Sequence, residues 1–186
     1  MSRAPLTEQG RHTLIVMLQQ VELAQQALGL ACAYTSVLEL VDLNLPGLQE
    51  LHKSSYVPQS YGLSTTNGAI RAMLLEGEFD PDLAILVTGC LDYVLDQYNL
   101  AGQNFRLIEQ AAPYHPEAAR IQELLAAAGQ DAELIQSGTQ ATLDLLRGWV
   151  GDEQYFWLYQ EGKALQERIA AARRGMGGGG GGGGGY

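Results

Sequence analysis

Three histidines, two cysteines and several closely spaced carboxylates are the residues of this 186-residue chain from which a reaction or a metal site could be built. His12 lies in a helical stretch, His52 in a segment without helical period, and His115 between Pro113 and Pro116. None has a second His or Cys at metal-ligand spacing. A di-iron carboxylate centre in a helical bundle requires Glu-x-x-His on two helices, and no Glu-x-x-His occurs. Cys32 and Cys90 each sit within an apolar helical pattern, where a lone cysteine serves as a small core side chain. Glu76, Glu78, Asp80 and Asp82 alternate without the Asp-x-Asp-x-Asp-Gly order of a calcium loop, and acids collect at helix starts because of the positive helix end. Asp92 and Asp96 share a helix face with no basic residue nearby in sequence, which reads as a solvated acidic stripe. A nucleophile elbow, a P-loop, a His-Glu-x-x-His helix and a dinucleotide glycine turn are missing. The expectation is a non-enzyme with no catalytic, cofactor or metal residues.

Aromatic surface is the stronger signal. Both tryptophans fall in the cluster Trp149, Val150, Tyr155, Phe156, Trp157, Leu158 and Tyr159, at a corner between two helices. Residues 155–159 of one helix cannot all face inward, so part of the cluster is expected at the surface, as an interface anchor beside a hydrophobic plug. Tyr56 and Tyr61 give the aperiodic segment something to bury, and Tyr186 ends a run of nine glycines. Trp149, Tyr155, Phe156, Trp157, Tyr159, Tyr56, Tyr61 and Tyr186 are therefore the candidate protein-contact residues.

The elements that position them read as all-α. Asp80-Pro81-Asp82 combines a capping acid, a proline suited to the first helical position and a second acid, and opens an apolar helix over 80–112 that organises the chain. Residues 6–42 carry a heptad-like seam, Met17, Val21, Ala24, Leu28, Ala31, Thr35 and Leu38, with glutamines on the outer side. The period fails from 43 to 66, where Pro46, Gly47, Pro58, Gly62 and a Ser/Thr run predict a long connecting loop. Asn67 is expected to cap a short helix ended by Gly77. Ile121, Leu125, Ala128, Ala132, Ile135, Thr139, Thr142, Leu146 and Trp149 keep four-three spacing through Gly129, predicting one helix of about 50 Å over 116–149. A last helix starts at Asp152, with Tyr155, Leu158, Gly162, Leu165, Ile169 and Ala172 as its seam. These elements predict an elongated antiparallel coiled-coil-like bundle of four long helices and one short one, a single domain over 1–175, followed by a flexible polyglycine tail over 176–186.

A formal net charge of −10 and a pI near 4.6 oppose binding to nucleic-acid phosphate or anionic lipid. The N-terminal residues lack a signal-peptide plan, and the apolar run over 83–91 is less than half of what a bilayer requires. The expected location is the cytoplasm or a macromolecular assembly such as a virion. The function expected is a non-enzymatic structural or adaptor subunit of a larger assembly, for example a phage particle or a secretion or transfer complex, in a homo- or hetero-oligomer. Two alternatives follow from other features. Small residues in the seams would leave room for an apolar ligand or tetrapyrrole near Cys90, Tyr93 or His12, and the net charge would suit an acidic chaperone for a basic client.

Overall fold

The computed structural model describes residues 2–177. Nearly all of them are helical: α1 (Glu8–Val41), α2 (Leu48–Glu50), a π-helical turn (Leu51–Tyr56), α3 (Val57–Glu76), α4 (Pro81–Ala111), a 3-10 turn (Ala112–Tyr114), α5 (Ala118–Val150) and α6 (Asp152–Gly177). Two-residue strands β1 (Ala4–Pro5) and β2 (Glu78–Phe79) pair antiparallel, Ala4 opposite Phe79 and Pro5 opposite Glu78. α6 continues two residues past the boundary expected at 175, and the rest of the polyglycine tail with Tyr186 lies outside the described residues. No described helix is long and apolar enough to cross a membrane.

The helix ends follow from local chemistry. Thr7 caps α1, its hydroxyl accepting from the Gly10 N–H at 3.0 Å, and Asp80 caps α4 by accepting from the Asp82 N–H at 2.9 Å with Pro81 in the first turn. Gly77 and Gly151 close α3 and α5 with φ of 69° and 87°, a region that favours glycine. α5 passes unbroken through Gly129, whose added carbon would meet nothing within 4 Å.

α1 and α5 pack antiparallel along their length, Gly10 against Trp149 near one end and Ala24 against Gly138 further along. Their facing residues, including Leu14, Met17, Val21, Leu28, Ile121, Ile135 and Leu146, are buried. α3 lies against α1 and α4, and α4 borders α3, α5 and α6. That position accounts for its apolar first half: Cys90 and Val94 meet α3 at Gly62, while Thr88 and Gly89 meet α6.

The long loop expected over 43–66 is not there. Only a short turn separates α1 from Leu48, after which the chain stays helical to Glu76. Pro58 lacks an N–H and its ring crowds the carbonyl four residues back, so a proline here signals a break. The helix instead widens ahead of it, the Val57 N–H bonding to the His52 carbonyl five residues back. Gly62 sits where α3 touches α4: a carbon added to it would lie 2.7 Å from Val94 Cγ2 and 3.1 Å from the Cys90 carbonyl oxygen. Asn67 is mid-helix rather than a cap, donating to Gln25 Oε1 at 3.1 Å and accepting from Arg71 Nε at 2.7 Å. The apolar period is interrupted because the buried face of this segment mixes polar with apolar side chains. Ser55, Gln59 and Thr66 are fully or almost fully buried, and a side-chain oxygen of each has no hydrogen-bond partner.

Two predictions follow from the packing. Gly129→Ala should stabilise the chain by up to about 1 kcal/mol, whereas Gly89→Ala, whose new carbon would stand 2.6 Å from the Gly162 carbonyl oxygen, should cost about 1–3 kcal/mol; urea titrations of both would show opposite shifts in midpoint. Thr66→Val keeps the shape while removing an unpaired hydroxyl, and should be neutral or stabilising by about 1 kcal/mol in the same assay. A clear loss of stability would mean that the hydroxyl is bonded in solution.

Candidate interaction site

The aromatic corner is built where α5 hands over to α6 at Gly151. Trp149 is half-buried, its indole against Gly10 of α1, where an added carbon would come within 2.7 Å of the ring. Phe79 meets it edge-on, with centroids 5.2 Å apart and planes at 87°. The β1–β2 pairing holds Phe79 in place, reinforced by the Leu6 N–H donating to the Gly77 carbonyl at 2.8 Å. Arg3 closes the same corner, 2.5 Å from the second carboxylate oxygen of Asp80, so one nearly buried acid both caps α4 and fastens the N-terminal arm. Ser2, Pro5, Phe79, Trp149 and Gln154 line a cavity of about 440 Å³ beside this latch.

Within α6 the aromatics divide by helical phase. Leu158 is buried and Tyr155 and Tyr159 half-buried on the face toward α4, the two tyrosine rings 6.2 Å apart and near-parallel. The Tyr159 hydroxyl donates to Asp92 Oδ1 at 2.7 Å, and Lys163 reaches 4.0 Å from the other oxygen of that carboxylate while lying over the Tyr159 ring. The hydrogen bond to Asp92 is the main cause of the raised Tyr159 pKa, and burial is that of Tyr155. Phe156 and Trp157 point the other way, 64% and 40% exposed.

The remaining candidates are dispersed. Tyr56 is in the core, edge-on to His52 at 5.5 Å, where burial pushes its pKa up. It offers no surface to a partner. Tyr61 is exposed on α3 with the Arg173 guanidinium 5.4 Å from its ring centre, and Tyr186 is outside the described residues. Trp149, Tyr155, Phe156, Trp157 and Tyr159 thus share one end of the molecule, and of these Phe156 is the most exposed and Trp157 partly so.

In place of the expected solvated acidic stripe, Asp92 is half-buried and bonded to Tyr159, with Lys163 adjacent. Its partners come from a helix about 70 residues later in the chain, so no local spacing could announce them. Among the described residues no group of three or more His, Cys, Asp and Glu side chains could hold a metal ion. Burial pushes the Cys90 thiol up to about 11, which leaves it protonated and unreactive at neutral pH. The seam glycines Gly62, Gly89, Gly138 and Gly162 are closed by contact with the facing helix. No protein-family model, curated protein or solved structure matches the chain.

Tyr159→Phe removes a hydrogen bond to a carboxylate and should loosen α6 by about 1 kcal/mol. Amide exchange should accelerate about fivefold in α6 while α1 and α5 keep their protection. A uniform change across all helices would show that α6 does not open separately.

Proposed function

We propose that the protein is a non-enzymatic structural or adaptor subunit of a larger protein assembly, with the α5–α6 corner as its contact surface. The observation that carries this reading is the exposure of Phe156 and Trp157 on a helix whose opposite face is docked on α4. Large aromatics are costly to leave in water and are enriched among the residues that dominate interface energies. Their neighbours are held rigidly by Trp149, Phe79 and the N-terminal latch, so a partner would meet a preformed surface and order little on binding. The acidic balance of the chain favours a neutral or basic protein partner over nucleic acid.

Light scattering across a concentration series, combined with pull-down from source extract, tests this reading. A strictly monomeric chain that retains no partner would sink it. The double variant Phe156→Ser with Trp157→Ser should keep the parent melting temperature, because both side chains face solvent, while weakening assembly at least about tenfold, as loss of interface anchors does. Unfolding of the variant, with assembly intact in whatever fraction stays folded, would assign these aromatics to the core instead.

A further inference from the structure

The outer side of the α1–α5 pair carries a second apolar seam. Leu23 and Leu30 on α1, seven residues apart, and Leu134 on α5 are 57%, 52% and 58% exposed and border a groove of about 230 Å³ floored by Ala27 and Gly138. Beneath it the two helices close tightly, the carbon missing from Gly138 lying 3.1 Å from the Gln20 carbonyl oxygen, so the groove is shallow and runs along the helix pair. Leu23 and Leu30 form a ridge along α1 with Leu134 facing them from α5, and Gln20, Gln26 and Ser137 complete the lining, a furrow between two helices of the kind that a third helix packs into.

Asp131 lies in this groove. It is half-buried and has neither an ion pair nor a side-chain hydrogen bond among the described residues. Burial alone raises its pKa, with no cation close enough to oppose that. A carboxylate so placed is stabilised by an occupant that brings a positive charge. The chain already contains one such arrangement, where α6 lies on the outside of α4, buries Leu158 and Gly162, and carries Lys163 to Asp92.

We propose that the outer groove between α1 and α5 is a docking site for an amphipathic helix of a protein partner, one with a Lys or Arg at the centre of its apolar stripe opposite Asp131. This surface is separate from the α5–α6 corner and does not depend on that corner's being an interface.

The test uses the full chain and a fluorescent synthetic peptide of about 18 residues, close to 27 Å as a helix, with a Leu/Ala stripe and one central Arg. A companion peptide carries norleucine in place of the Arg. The Arg peptide should bind about tenfold more tightly than its companion, as a charge-assisted contact predicts. Asp131→Asn should abolish that preference, and Leu30→Glu should weaken both peptides about tenfold, since it places a charge in the apolar groove. Leu134→Gln serves as a second groove variant should Leu30→Glu lower the melt. The Phe156→Ser, Trp157→Ser variant should bind both peptides as the parent does, which separates failure here from failure at the corner. Equal affinity for the two peptides, no binding by either, or binding indifferent to the groove variants would overturn the proposal. Self-association of the chain that Leu30→Glu abolishes would overturn it in favour of a second copy.

Discussion

Where α4 crosses α6 there is no space for a side chain on either helix. A carbon added to Gly89 would stand 2.6 Å from the Gly162 carbonyl oxygen, and one added to Gly162 would stand 2.7 Å from both the Gly89 nitrogen and the Thr88 hydroxyl. That hydroxyl shares its proton between the Ile85 carbonyl of its own helix at 2.9 Å and the buried Leu158 carbonyl at 3.0 Å, the second within reach only because the backbones come so near. Beyond Leu158 and Gly162 the packed face of α6 is half-buried, and its polar contacts include the group formed by Tyr159, Lys163 and Asp92, the Gln166 amide against Cys90 Sγ and Arg173 over Tyr61. Which residues of the final helix meet solvent is set here: with Leu158 and Gly162 turned inward, the helical period turns Phe156 and Trp157 outward.

The same device recurs at the other crossings. Gly62 admits Val94 and the Cys90 carbonyl, Gly138 lies beneath the Gln20 carbonyl, and Gly10 receives the indole of Trp149. Small residues in the seams act as contact points, exchanging the conformational cost of glycine for close dispersion contact between helices. Gly129, with nothing within 4 Å, has no such contact to offset its cost.

α3 follows a different logic. Its buried face includes Gln59 and Thr66, and the π-helical turn that leads into it ahead of Pro58 buries Ser55. Burying hydroxyl and amide groups without partners costs about 1–3 kcal/mol each. The apolar packing of Leu51, Leu63, Ile70 and Met73 offsets that cost within the same stretch of chain.

Much of this was determined by the sequence itself. Asp80, Pro81, Gly77 and Gly151 mark helix ends because caps and positive φ are properties of a few consecutive residues. The unbroken seam of α5 through Gly129 was legible for the same reason, since seven-residue spacing on one face survives a single glycine. The aromatic corner was legible as a cluster. Tertiary structure decided the remainder. Only the docking of α6 on α4 distinguishes Tyr155 and Tyr159, facing inward, from Phe156 and Trp157, facing out, and only it brings Tyr159 and Lys163 to Asp92. The expected loop over 43–66 is helical from Leu48 because polar side chains on a buried face interrupt the apolar period, and whether Ser55, Gln59 and Thr66 lie inside depends on α1 and α4, which are distant in sequence. Local chemistry specifies where helices stop and which stripe is apolar, while the choice of neighbour depends on close contacts between residues many turns apart.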